Sequence, residues 1–258
     1  MKRKFLFLYL NTGAGHISAA KVLAAALKEK DPDVEIEMLN GFDKYNFFGH
    51  LMFEKGYNYA TNYVHGAFPL IYDMAQHRWG QTMFVLPLRF HTTRYLRRVI
   101  REKQPTDIVS FHFALTPFVK SALRQISRKI NFTVMVTDPF TLPNAWFYEN
   151  DQKFFVFSEQ AKRQAVEVCG VPEQNVTVVP FLMNEKYLMP LPSKDEIAAM
   201  KAKHGFTAGK KIVLLVGGGE GLPGAVEIIK ECVLHRAPFA VAVVCGRDRA
   251  FKDALELL

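Results

Sequence analysis

The sequence predicts an α/β fold: a parallel sheet wrapped by helices. Two observations carry this. Short segments rich in Val, Ile and Phe alternate with helical stretches between residues 5 and 179, as buried parallel strands alternate with their crossovers. Two glycine-rich loops, "NTGAGH" at 11–16 and "GGGEG" at 217–221, stand where a strand hands over to a helix, the place where such sheets meet ligands.

The predicted strands are 5–10, 34–39, 107–112, 132–137, 153–157 and 176–179. The first follows Met1-Lys2-Arg3-Lys4 and resembles a secretory signal. Its apolar run of six residues is shorter than the ~7–15 of a signal core and ends in a glycine loop, so it reads as a strand. The predicted helices are 17–30, 92–103, 116–128 and 158–169. Ser158 is placed to cap the last, and Gly170 and Pro172 to end it. Residues 181–194, with Pro190 and Pro192, read as a linker. Beyond it come a helix near 195–203, a strand at 211–216, the second glycine loop, a helix at 225–234, a strand at 239–245 and a helix from about 249. The expected domains are therefore 1–180 and 195–258, the second with two clear strands and so only part of a doubly wound unit.

Composition narrows the function. The chain has 258 residues, 49% hydrophobic, and no run of ~18 apolar residues to span a membrane. Cys169, Cys232 and Cys245 have neither metal-ligand nor disulfide-framework spacing, and fit a reducing cytosolic setting as small core residues. The net charge of +8 favours an anionic partner. Six basic residues and one acidic residue lie between Arg89 and Lys103, with Arg94, Arg97, Arg98 and Arg101 on one helical face. No nucleic-acid reader motif accompanies them. Residues 42–90 hold 13 of the 33 aromatics, among them Phe47, Phe48, Phe53, Tyr57, Tyr59, Tyr63, Phe68, Tyr72 and Trp79, and show no crisp strand. An aromatic insertion followed by a basic helix suits a bilayer surface; the competing reading packs those rings into the domain's own core.

In the first loop, Thr12-Gly13-Ala14-Gly15-His16, glycines let a ligand approach the backbone, and the helix start favours a negative oxygen. The dinucleotide fingerprint is incomplete: Ser18 stands where its third glycine belongs, and Glu37 is the nearest ribose ligand. His16, at a helix N-terminus, is held toward its neutral form and is a candidate base for a hydroxyl nucleophile, or else a capping or packing residue. The second loop, Gly217-Gly218-Gly219-Glu220-Gly221, precedes Pro223 and reads as an anion cradle; it lacks the Lys-Ser/Thr of a nucleotide-hydrolysing P-loop.

Taken together, "NTGAGHISAA", "VTDPFTLPNAWF", "FFVFSEQAKRQAVEVCGVPEQNVTVVP" and "VLLVGGGEGLPG" resemble, in order and over nearly the whole chain, the monogalactosyldiacylglycerol synthase and processive diacylglycerol glucosyltransferase family. These are relatives of the peptidoglycan N-acetylglucosaminyltransferase. The resemblance implies a GT-B fold, with a complete N-terminal Rossmann-like domain and the start of a second. It implies transfer of a hexose from a UDP-sugar to a diacylglycerol-type lipid, with inversion, without a bound metal and with no cofactor beyond the donor. It places His16 as the catalytic base; Thr12, Gly13, Gly15, Asp138 and Trp146 on the acceptor side; Gly217 to Gly221 at the donor diphosphate; and Arg94, Arg97, Arg98 and Arg101 on an anionic membrane surface. The expected location is cytoplasmic, peripheral to the inner face of the membrane. The sequence departs from the family where Ser-Asp-Thr-Gly-Gly-Gly-His reads Leu10-Asn11-Thr12-Gly13-Ala14-Gly15-His16, and where His-Pro before Trp reads Pro143-Asn144 before Ala145-Trp146. Asn11 cannot carry the charge of the family's Asp. The acidic, glycine-rich nucleotide site has no counterpart before Leu258, so a truncated member, inactive by itself, is expected. Two alternatives stay open: a non-catalytic membrane or lipid-binding derivative of the fold, and a nucleotide-binding oxidoreductase.

Overall fold

The computed structural model describes residues 2–42, 46–56, 67–217, 222, 224–246 and 249–256. Of the aromatic insertion, Tyr57, Tyr59, Tyr63 and the side chain of Phe68 lie outside the described residues, as do Gly218, Gly219, Glu220, Gly221 and Pro223 of the second loop. The chain forms two compact units, Met1–Asn184 and Glu185–Leu258.

The first unit is built on six parallel strands, β1 (Lys4–Tyr9), β2 (Glu35–Asn40), β3 (Asp107–Ser110), β4 (Asn131–Met135), β5 (Lys153–Val156) and β6 (Val176–Val178), in the order β2-β1-β3-β4-β5-β6. Strand β1 shows why its apolar run is continuous. Leu6, Leu8 and Leu10 pack on one side of the sheet with Leu96, Ile100 and Phe118, while Phe5 and Phe7 pack on the other with Ala19 and Ala20. Successive side chains alternate between two covered faces, so every position is apolar.

Helix α1 (Ala14–Lys30) starts three residues earlier than its periodicity suggests, with Gly13 as its cap. Ala19, Ala20, Leu23, Ala24 and Leu27 turn toward the sheet. Downstream, α2 (Ala67–Ala75), α3 (Arg78–Val85) and α4 (Arg89–Lys103) cross from the insertion to the basic helix. Helix α5 (Thr116–Leu123) stops short of 128, because Gln125 and Ile126 donate to carbonyls three residues back and tighten the chain into turns. The helix expected at 158–169 begins as α6 (Glu159–Arg163) and continues as a π-helical turn, Gln164–Val168. Ser158 Oγ accepts from Ala161 N at 3.1 Å, and Gly170 leaves the helix at φ 69°, a conformation glycine adopts without steric penalty.

The second unit contains α7 (Lys194–Lys203), opened by a Ser193/Glu196 capping box, then β7 (Lys211–Val216), α8 (Ala225–Leu234), β8 (Phe239–Val244) and α9 (Arg249–Glu256). Strands β7 and β8 pair in parallel from Lys211↔Phe239 to Val216↔Val244, and Leu214 and Val216 remain exposed. Gly217 directly follows β7.

Candidate active site

In an open parallel sheet, the switch point is where the strand order reverses, and loops there part to admit a ligand at the carboxyl ends of the strands. Here it falls between β1 and β3. The loop after β1 carries Thr12 and leads to His16 in the first turn of α1; the residue after Phe111, just past β3, is His112; Thr137 and Asp138 follow β4. Three adjacent strands thus deliver these side chains to one place.

His16 Nδ1 lies 2.8 Å from Thr137 Oγ1. The His16 and His112 rings are 4.6 Å apart between centroids. Burial pushes the His16 imidazole below the ordinary histidine value, against the opposing pull of the Asp138 charge and a hydrogen bond to the Phe111 carbonyl. His112 is pushed well below, by burial and then by the charge of His16. Its Nδ1 accepts from Ala114 N at 3.2 Å, capping the short turn Phe113–Leu115. Both rings are therefore neutral near pH 7, and an unprotonated His16 Nδ1 accepts from the Thr137 hydroxyl.

These groups border a cavity of about 270 Å³. Its polar wall is Thr12, His16, His112 and Asp138; its apolar wall includes Met52, Phe53, Ile71, Phe84 and Phe113. Thr12 Oγ1 is buried without a hydrogen-bond partner. Trp146 is fully buried beneath the site rather than in the cavity wall; its Nε1 donates to Asp138 Oδ2 at 2.8 Å and so aims the carboxylate. Gly13 (φ 159°, ψ 169°) sits in a backbone region that glycine occupies almost alone. A Cβ at Gly13 or Gly15 would meet no atom within 4 Å, so the space above the helix start is clear. A larger groove, of about 870 Å³, opens at the opposite ends of the strands, where Arg3 is paired with Asp107 and Lys120 with Asp151. No histidine lines it, and its two carboxylates, Asp107 and Asp151, are each paired with a cation. Among the described residues no three His, Cys, Asp or Glu side chains converge as a metal site requires.

The sequence reading missed His112, Thr137 and the carboxylate of Glu54, which reaches the first glycine loop: Asn11 N donates to Glu54 Oε1 at 2.9 Å. His112 and Thr137 are each the last residue of a predicted strand, 107–112 and 132–137, and that position was the usable signal.

The profile of the monogalactosyldiacylglycerol (MGDG) synthase family matches residues 16–180, more than half of the chain. The chain belongs to the MGDG synthase family. It is 25% identical to a processive diacylglycerol beta-glucosyltransferase of Bacillus pumilus, over 98% of this chain and 63% of that protein. It is 23% identical to the chloroplastic monogalactosyldiacylglycerol synthase 1 of Arabidopsis thaliana, over 99% of this chain and 49% of that one. The chain therefore spans between about half and under two-thirds of the length of these relatives. The UDP-GlcNAc 2-epimerase of Neisseria meningitidis, solved with UDP-GlcNAc, superposes with a TM-score of 0.53 at 13% identity, covering 99% of this chain and 69% of that one. The S. aureus MnaA-UDP structure gives 0.52 at 10%, covering 100% and 66%. The fold of this MGDG synthase family member is accordingly α/β and of the GT-B type.

Arg94 and Arg98 point outward from α4. Arg97 and Arg101 turn toward the end of α5, donating to Gln125 Oε1 and to the Gln125 carbonyl in the turn that follows it. The apolar stripe Trp79, Met83, Leu86 and Phe90 leads into this face at helical spacing, and Phe90 is 80% exposed. Leu86, Phe90, Arg94 and Arg97 line one groove. Among the described residues no helix is long and apolar enough to cross a membrane.

Proposed function

We propose that this chain carries the acceptor-binding unit and part of the donor-binding unit of a UDP-sugar-dependent glycosyltransferase that moves a hexose to a diacylglycerol-type lipid. The observation that carries the reading is the neutral His16 at the switch point, facing a largely apolar cavity. The acceptor hydroxyl takes the place of the Thr137 hydroxyl at His16 Nδ1 and gives its proton to that nitrogen. Its oxygen attacks the anomeric carbon as the bond from that carbon to the diphosphate oxygen breaks. The electron pair leaves with UDP, and in-line attack inverts the anomeric centre. Asp138, held by Trp146, stabilises the imidazolium that forms, and the unpartnered Thr12 hydroxyl offers the acceptor a hydrogen bond. The second loop, Gly217 to Gly221, takes the diphosphate through backbone N–H groups in this reading, with no metal ion and no further cofactor invoked.

The lipid reaches the site from a membrane surface. The exposed stripe from Trp79 to Phe90 enters the headgroup layer, and Arg94 and Arg98, with Arg97 and Arg101 behind them, face anionic lipid at the inner leaflet. The test incubates the full gene product with UDP-glucose or UDP-galactose and diacylglycerol in mixed vesicles, with the product read by mass spectrometry and anomeric NMR. A β-linked glycolipid is expected from the α-linked donor. Vesicle binding with no product under any UDP-sugar would overturn the transferase reading in favour of a lipid-binding derivative.

A further inference from the structure

The inserted segment that forms part of the cavity wall is fastened to the glycine loop by one carboxylate. The π-helical turn His50–Lys55 places Met52 and Phe53 in the cavity wall, and the next residue, Glu54, turns the other way. Glu54 Oε1 accepts from Asn11 N at 2.9 Å and from Asn40 Nδ2 at 2.7 Å. Its Oε2 lies 2.6 Å from His50 Nδ1. Asn40 is oriented for this role because its Oδ1 accepts from Phe42 N at 2.9 Å. The Glu54 side chain is only 13% exposed, and its bonds to Asn40 and His50 are part-buried, while Asn11 lies at the surface. Phe53 in turn packs edge-on to His112, ring centroids 6.2 Å apart. Gly56 closes the π turn and admits no side chain: a Cβ there would lie 2.6 Å from the Leu51 carbonyl oxygen.

We infer that Glu54 is a positioning residue for the transfer reaction: it clasps the loop that leads to His16 to the end of β2 and to the segment that walls the acceptor cavity. The inference rests on the transferase reading for its kinetic arm alone. A carboxylate held by three partners fixes the backbone of Asn11, and with it the approach of Thr12 and the first turn of α1. The role is one of reach and hydrogen bonding rather than of charge, since Glu54 lines neither the cavity nor the His16 ring.

The test separates reach from charge. Glu54→Gln keeps an oxygen that can accept from both Asn11 N and Asn40 Nδ2. Glu54→Asp keeps the charge but withdraws it by about 1.5 Å, one carbon–carbon bond. In the full gene product, kcat is expected within threefold of wild type for Glu54→Gln and at least tenfold lower for Glu54→Asp, with the KM for UDP-sugar within twofold in both. Amide hydrogen exchange over residues 11–16 is expected to speed at least tenfold in Glu54→Asp and to stay near wild type in Glu54→Gln. A Glu54→Gln enzyme as slow as Glu54→Asp, or unchanged exchange in Glu54→Asp, overturns the proposal. Should Glu54→Asp not fold, Asn40→Ala removes the carboxylate's second donor and is read in the same two assays, with the same outcomes deciding. If the wild type makes no glycolipid, the transferase reading fails, and the exchange measurement still decides whether the clasp holds the loop.

Discussion

Replacing His112 by Asn should flatten the acid side of the protein's stability curve. His112 is buried and held well below the ordinary histidine value, so in the folded state it stays neutral as the pH falls. In the unfolded chain it titrates near 6.5. Below that pH the unfolded state binds a proton that the folded state refuses, so stability is lost on acidification and is fully present only above the unfolded value. Between pH 7.5 and 5.5 one such histidine costs about 1.4 kcal/mol. For a unit of this size that corresponds to a Tm shift of roughly 3–5 °C. Asn suits the site because its side-chain oxygen can take over from Nδ1 in accepting the Ala114 N–H. Thermal or urea unfolding of wild type and His112→Asn across that pH range gives the comparison. The gap between the two curves is expected to shift by about 1.4 kcal/mol in favour of the variant at pH 5.5. Parallel curves would show that folded His112 takes up its proton as readily as the unfolded chain does, and would remove the case for a burial-depressed histidine at the switch point.

His16→Ala in the full gene product should lower kcat by ~10²–10⁴ while UDP-sugar binding, read by calorimetry, is nearly kept; a fall of less than about threefold would make His16 a packing residue. Gly15→Ala places a methyl in open space within α1, so it should leave Tm unchanged or raise stability by roughly 0.5–1 kcal/mol. Its transfer rate should fall because the substrate meets the methyl; an unchanged rate would show that nothing approaches that backbone. Arg94→Glu combined with Arg98→Glu should weaken sedimentation with anionic vesicles at low salt by at least about thirtyfold, from ~1 kcal/mol lost per arginine. Binding equal to neutral and anionic vesicles, and insensitive to salt, would refute the basic-surface reading.

The central strands of the first unit were legible because a strand buried on both faces leaves a local signal: in β1, Leu6, Phe7 and Leu8 are all fully buried although they alternate sides. The same locality marked Ser158 and Gly170 as helix ends. It did not reveal that α5 stops at Leu123, since no Gly or Pro announces the turn after it and Ile126 keeps an apolar residue at helical spacing. The site divides in the same way. Thr12 and His16 are legible because glycine loops are sequence signals. His112 and Thr137 are not, because the approach of His112 to His16 needs β3 beside β1 and that of Thr137 needs β4 beside β3; pairing order is a tertiary fact. Glu54 is less legible still, since a π-helical turn has no 3.6-residue period to read.

The rings of the aromatic insertion divide between buried and exposed positions. Phe42 is buried, Phe53 packs against the core, and Phe84 and Tyr72 line the cavity. Phe47, Phe48, Trp79 and Phe90 are exposed. Composition could not divide them, because a ring is equally apolar in either place; the helical turns between them decide which side each one faces. The division bears on mechanism. The exposed rings gather on the segment whose neighbouring residues wall the cavity; in the proposed reading, in which Phe90 and Trp79 hold a lipid at the surface, Phe84 and Phe53 of the same segment line its path to His16.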